Sequence, residues 1–187
     1  MTKILFLDLD GTVRRTKSGA TFINTPLDQE IIPGVKEAIA RYPDHYLIGI
    51  TNQGGVAAGK KSLEDAIAEQ KYTMQLLPEL KVVYFCPDFD GDLIYKVSCE
   101  KHEAWERHQF LDPILNKPFY QSFRKPGAGM VQKAINDLGK IIDAKSSLFV
   151  GDKRSYALWA YRSEDQACAL AAEIPFMWAA DWRGECD

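Results

Sequence analysis

The sequence predicts an α/β fold, a doubly wound parallel sheet flanked by helices. Short apolar runs alternate with helix-like stretches, which is the pattern of βα units. The first run, Ile4-Leu5-Phe6-Leu7, stops abruptly at Asp8-Leu9-Asp10-Gly11-Thr12, placing two acids at the rim of a sheet. The chain has 187 residues, 46% hydrophobic and 26% charged, enough for one domain with a sizeable core.

The first strand is expected over residues 3–7. A helix over 34–41 follows the Pro33-Gly34 turn, and a second strand over 46–50 runs into Thr51-Asn52. Residues 62–77 read as a helix: Leu63, Ala66, Ile67, Met74 and Leu77 share one face, and Ser62 is a suitable N-cap. A third strand is expected over 82–85. Residues 86–124, rich in aromatic and charged side chains, break the alternation and read as an irregular insertion within a single domain of 1–187. Its aromatics are expected to form the core of that insertion. Beyond Lys125-Pro126-Gly127, a helix over 128–138 presents Met130, Val131, Ala134, Ile135 and Leu138 inward. A fourth strand over 147–150 stops at Gly151-Asp152, and a helix near 165–172 and a short strand over 175–178 complete the pattern. Trp159, Trp178 and Trp182 are expected near that last strand.

Ligands of open α/β sheets bind outside the carboxyl ends of the strands. Asp8 and Asp10, Thr51 and Asn52, and Asp152 all fall at such ends, and Lys125 opens a helix. Two carboxylates two residues apart repel unless a cation or proton-transfer chemistry holds them. Together with a hydroxyl, a lysine and a further acid, they suit a phosphate and a magnesium ion. The chemistry then assigns Asp8 as nucleophile on phosphorus. Asp10 is the acid that protonates the leaving alcohol and later the base that activates water. Thr51 donates to the phosphate, Lys125 neutralises its remaining charge, and Asp8 and Asp152 ligate the metal.

The stretches DLDGT at 8–12, ITNQ at 50–53, RKPGAGM at 124–130 and VGD at 150–152 resemble, in order, the motifs of haloacid dehalogenase superfamily phosphatases. The wording TNQGG and RKP is similar to the subgroup of histidinol-phosphate, heptose-bisphosphate and polynucleotide 3'-phosphatases. The resemblance implies a Rossmann-like domain with little or no cap, and adds Asn52 and Arg124 to the substrate-binding residues. It also implies that Asp10 ligates magnesium through its backbone carbonyl, freeing its carboxylate for proton transfer. The substrate implied is a small phosphorylated metabolite, with a nucleic-acid 3'-end as the alternative.

The sequence departs from that pattern in three places. Tyr156 stands where a second acid often follows Asp152, and a several-residue insertion between Lys153 and Arg162 leaves Asp165, or Glu164, to fill that role or merely to open a helix. Cys86, Cys99, His102 and His108 lie where the heptose-phosphatase subgroup carries a zinc loop, but only Cys99 and His102 are closely paired. The expectation is a loop without metal. The run Gly54 to Lys60 nearly matches a phosphate-cradling loop, yet Lys61 stands where Ser or Thr would hold magnesium. A kinase or a non-catalytic binding protein is accordingly the weaker reading. Arg14, Arg15 and Lys17 are expected in a solvated loop, with a second phosphate or a nucleic-acid backbone as their other use.

The net charge of −3 does not suggest a general polyanion binder. No apolar run reaches the length of a membrane span. The scattered cysteines and the lack of a leader-like start point to a cytoplasmic protein.

Overall fold

The structure, a computed structural model, describes residues 1–152 and 163–185. Trp159, Tyr156 and the expected insertion at 153–162 lie outside these residues. The described strands are β1 (Lys3–Leu7), β2 (Arg14–Arg15), β3 (Glu30–Ile31), β4 (His45–Asn52), β5 (Val82–Cys86), β6 (Leu93–Val97), β7 (His102–Glu106), β8 (Leu148–Gly151) and β9 (Phe176–Trp178). The helices are α1 (Val35–Ile39), α2 (Leu63–Leu76), α3 (Gly129–Leu138), α4 (Glu164–Ala171) and α5 (Ala179–Arg183).

The main sheet runs β7-β6-β5-β4-β1-β8-β9, with β2 and β3 forming a separate ribbon. Strands β5, β4, β1, β8 and β9 are parallel. The chain builds outward from β1 to β4 and β5, then returns to lay β8 on the opposite flank of β1. The strand order therefore reverses at β1, and a crevice opens at its carboxyl end.

Strand β1 is buried on both faces, which is why it reads as a continuous apolar run. Leu5 and Leu7 join the core with Val35, Met74 and Trp182 of α1, α2 and α5, and with Leu77 just past α2. Ile4 and Phe6 point the other way, into the core with Met130, Val131, Cys168 and Ala169 of α3 and α4. Ser62 caps α2, its side chain accepting from the Asp65 amide at 3.0 Å. Ser163 does the same for α4 through the Gln166 amide at 3.1 Å.

The segment 86–124 is more regular than its sequence suggests. It contains the hairpin β6–β7, which extends the sheet antiparallel from β5. Strand β7 is an edge strand whose side chains are exposed or half-buried. Its membership rests on backbone pairing with β6, for which its own residues carry little apolar signal. The segment's aromatics divide. Tyr120 and Phe123, like Phe85 of β5, are buried in the main cores, whereas Phe89 and Phe119 are 58% and 67% exposed. They do not make a separate core of their own. Trp182 is fully buried on α5 and Trp178 ends β9. Among the described residues no helix is long and apolar enough to cross a membrane.

Candidate active site

Asp8 prolongs β1, its amide donating to the Val150 carbonyl of β8 at 2.9 Å. The chain then turns sharply. Gly11 takes a φ of 90°, a left-handed conformation that a side chain resists, and the Arg14 amide returns to the Leu9 carbonyl at 2.9 Å. That turn brings the Thr12 hydroxyl to Asp8 Oδ2 at 3.0 Å. Arg183 of α5 holds the turn from outside, donating to the carbonyls of Gly11 and Thr12 at 3.2 and 2.7 Å.

Lys125 is buried, and its Nζ donates to Asp8 Oδ1 and to Asp165 Oδ1, each at 2.6 Å, and to the Ile50 carbonyl at 3.1 Å. Asp165 Oδ2 accepts from the Asp152 amide at 3.1 Å. Ligand oxygens of Asp8, Asp152 and Asp165 all lie within 4.8 Å of one another, the one such acidic group among the described residues. Asp165 sits in the first turn of α4, 4% exposed, and its side chain turns toward Lys125 and Asp152. Glu164 turns aside, accepting from Asn52 Nδ2 at 3.1 Å. Asn52 spends the rest of its amide on the Lys125 backbone, at 3.0 and 3.1 Å, so it fixes the lysine. The Thr51 hydroxyl is buried and accepts from Gln53 Nε2 at 3.2 Å, leaving its own hydrogen for a ligand.

One lysine cannot balance this many acids. Burial and the Asp165 charge raise Asp8 to about 7 against the pull of Lys125. Burial also raises Asp165 despite Lys125, and Lys125 is itself held above its ordinary value because the two carboxylates outweigh its desolvation. Asp10 goes the other way. Burial would raise it, but the charge and hydrogen bond of Arg14, with Lys61 and Gln53, hold it below the usual carboxylate value. The neighbouring carboxylates at the head of one cleft thus differ in their readiness to carry charge.

That cleft has a volume of about 730 Å³. Asp8, Asp10, Thr51, Lys125 and Asp152 line it, with Arg124, Lys60, Phe22 and Phe89 further along its wall. Arg124 stacks on Phe89, its guanidinium 5.3 Å from the ring centre, and donates to the Asp88 carbonyl at 3.3 Å. Gly151 is tightly confined: a Cβ there would lie 2.4 Å from Asp165 Cβ and 2.5 Å from Asp165 Oδ2. Gly151→Ala is therefore expected to displace Asp165, costing about 1–3 kcal/mol. In a thermal melt that is a fall of roughly 2–4 °C per kcal/mol, accompanied by loss of phosphatase turnover. An unchanged melting temperature and rate would contradict it.

Asp8, Asp10, Thr51, Asn52, Arg124, Lys125 and Asp152 all meet here, and the zinc candidates do not. Cys86 ends β5 and pairs its thiol with Asp88 Oδ1 at 2.9 Å. Register places the Cys99 and His102 turn beyond Val97, opposite Val83, at the other end of the strand. His108 lies in a short 3-10 helix beside Glu106. The solvated-loop expectation fails for Arg14, which is fully buried and ion-paired with Asp10 and Glu69. Arg15 is half-exposed and paired with Glu30 at 2.7 Å. Gln53, Lys61, Glu69 and Arg183 were not legible as site residues, since no spacing in the sequence links them to Asp10 or to the turn at Gly11.

The family described as Polynucleotide kinase 3 phosphatase matches residues 3–181. The D-glycero-D-manno-heptose-1,7-bisphosphate 7-phosphatase of Chlorobaculum tepidum is 32% identical over 163 residues, covering 81% of this chain and 69% of that protein. The corresponding D-glycero-beta-D-manno-heptose enzyme of Haemophilus ducreyi is 30% identical over 159 residues, covering 81% of this chain and 72% of that one. Among solved structures, a HAD-like phosphatase of Mesorhizobium loti superposes with a TM-score of 0.62 at 24% identity, over 92% of this chain and 69% of that one. The D,D-heptose 1.7-bisphosphate phosphatase of B. bronchiseptica, complexed with magnesium and phosphate, gives 0.58 at 21% identity, over 95% and 79%. These two share the fold. With its fold, its acidic switch point and a family match spanning nearly its whole length, this chain belongs to the polynucleotide kinase 3 phosphatase family and is a phosphatase of the haloacid dehalogenase superfamily.

Proposed function

We propose that this protein is a magnesium-dependent phosphomonoesterase that acts on a small phosphorylated sugar through an aspartyl-phosphate on Asp8. The observation that carries the chemistry is the Asp8 carboxylate, buried at the head of the cleft and gripped by Lys125 and Thr12. The heptose-bisphosphate phosphatases among its relatives support the substrate class.

The donor set fits magnesium. It is all carboxylate oxygen, and its negative charge exceeds what Lys125 supplies. Asp8 and Asp152 would hold the ion with the Asp10 carbonyl, and Asp165 stands in the same group of acids. When bound, the ion would offset the negative charge of the phosphate. Asp8 attacks phosphorus, and the bond to the leaving oxygen breaks. The Asp10 carboxyl, having first taken up a proton against the pull of Arg14, gives it to that oxygen. The alcohol leaves. Asp10 then takes a proton from water, which attacks phosphorus and breaks the bond to Asp8, releasing inorganic phosphate. Thr51 donates to the phosphoryl oxygens and Lys125 offsets their charge throughout, and Arg124 serves the more distant part of the substrate.

A substrate panel tests the reading. Sugar bisphosphates and histidinol phosphate should release phosphate faster than nucleotides or 3'-phosphorylated DNA, with activity lost in EDTA and restored by magnesium. Activity indifferent to EDTA would reject the metal. Preferred, salt-sensitive cleavage of the DNA would move the substrate to nucleic-acid ends. Burial of Arg14 in ion pairs removes one of the three basic residues that such a substrate would use.

A further inference from the structure

The Asp10 carboxylate is held by a closed circuit of side chains. Arg14 Nε donates to Asp10 Oδ1 at 2.8 Å. Arg14 Nη2 reaches Asp10 Oδ2 at 3.4 Å and is ion-paired with Glu69 Oε1, and Glu69 Oε2 is ion-paired with Lys61. Lys61 Nζ donates to Gln53 Oε1 at 3.1 Å, and Gln53 Nε2 returns to Asp10 Oδ2 at 3.1 Å. The circuit joins four parts of the chain: the turn after β1, the end of β4, the glycine-rich loop and α2. Arg14 and Glu69 have side-chain exposures of 0% and 2%, and Lys61 7%, while Asp10, at 37%, is the member that opens to the cleft. Thr73 and Gln29 close the far side of Arg14.

Such a cluster is a poor device for stability alone, because desolvating several ions offsets most of what their pairing returns. Its geometry has another consequence. Each oxygen of Asp10 has its own donor, so the plane of the carboxylate is fixed where it faces the cleft. The glycine-rich loop that resembles a phosphate cradle curls back on itself, the Lys60 amide bonding to the Gly55 carbonyl at 2.8 Å. It thereby delivers Lys61 to carboxylates.

We infer that Arg14, Glu69, Lys61 and Gln53 are positioning residues that aim the Asp10 carboxyl at the leaving-group oxygen. The inference rests on the acid/base role proposed above for Asp10, and deepens it. Proton transfer matters most when the leaving group is poor. A positioning defect should therefore depend on the leaving group, whereas general loosening of the site would not.

The test measures kcat/KM, which reports the step that expels the leaving group, on phenyl phosphate and p-nitrophenyl phosphate. Glu69→Gln, which keeps the shape but removes the charge linking Arg14 to Lys61, should lower kcat/KM on phenyl phosphate about tenfold or more. On p-nitrophenyl phosphate the fall should stay within about threefold, and on an Asp10→Asn background Glu69→Gln should add nothing. Lys61→Gln opens the same circuit from the cleft side and should repeat the pattern, serving as the test if Glu69→Gln does not fold. Equal losses on both substrates, or additive losses with Asp10→Asn, would overturn the inference. Full activity of Asp10→Asn on phenyl phosphate would remove the acid role itself. A damaged Asp10→Asn beside an unaffected Glu69→Gln would remove only the positioning.

Discussion

Asp8→Asn is expected to lower phosphatase turnover by at least about a thousandfold while leaving the fold intact, because a carboxamide cannot form the acyl phosphate. The side chain keeps its shape, its oxygen can still accept from Lys125, and the Thr12 hydroxyl can turn to accept from its NH₂ group. The same substitution is expected to help stability when no divalent cation is present. Asp8 is raised from 3.8 to about 7, first by burial and then by Asp165. For a raised carboxylate the associated stability is complete below its unfolded value and drains away as pH climbs through the folded one. At pH 8 without magnesium the wild-type chain thus carries a penalty that the variant lacks. The variant should melt a few degrees higher at pH 8, and the difference should shrink at pH 5. Magnesium should raise the melting temperature of the wild type more than that of the variant. Turnover within tenfold of wild type would sink the nucleophile assignment, and a variant melting well below wild type at pH 8 would show that the Asp8–Lys125 pair stabilises outright.

The contrast between Asp8 and Glu69 shows where the sequence was informative. Asp8 stands directly after a run of residues buried on both sheet faces, so strand, edge and acid are all local signals. Asp152 and Thr51 follow the same logic at β8 and β4, while Lys125 lies in the turn that precedes α3. Glu69 reaches Arg14 across 55 positions from the middle of α2, where by periodicity it reads as one more polar helix residue. Asp165 is an intermediate case. It lies 13 positions beyond Asp152, too far for a motif with fixed spacing, and only the packing of α4 against β8 returns it to the Asp152 amide. Strand β7 is illegible in the sequence for a different reason: an edge strand is held by backbone pairs that its side chains do not announce.

Lys125→Met is the complementary experiment, because it removes the cation and leaves the acids. Methionine fills similar space with an apolar chain, so packing is largely kept. Asp8 Oδ1 and Asp165 Oδ1 would each lose a 2.6 Å charge-assisted bond and face each other across a buried gap. Breaking a buried pair from one side costs about 3–5 kcal/mol. Here the cost depends on pH, and its sign follows from the directions already present. Burial raises both acids even with Lys125 in place, and removing the lysine deletes the main influence opposing that rise. Both would then fold with carboxyl groups protonated further up the pH scale. Their contribution is retained in acid, below the unfolded value of 3.8, and lost as pH rises, for Asp8 through about 7 and beyond. The melting temperature of the variant, measured without divalent cations, should lie modestly below wild type at pH 5. At pH 8 it should lie roughly 6–20 °C below, at 2–4 °C per kcal/mol. Magnesium should recover part of the loss at pH 8, where the acids are ionised. Turnover should still fall at least about a hundredfold, since the cation that grips the nucleophile and offsets the phosphate charge is gone. A deficit equal at both pH values would mean that Lys125 acts through packing, and that the acids around it are balanced by something other than its charge.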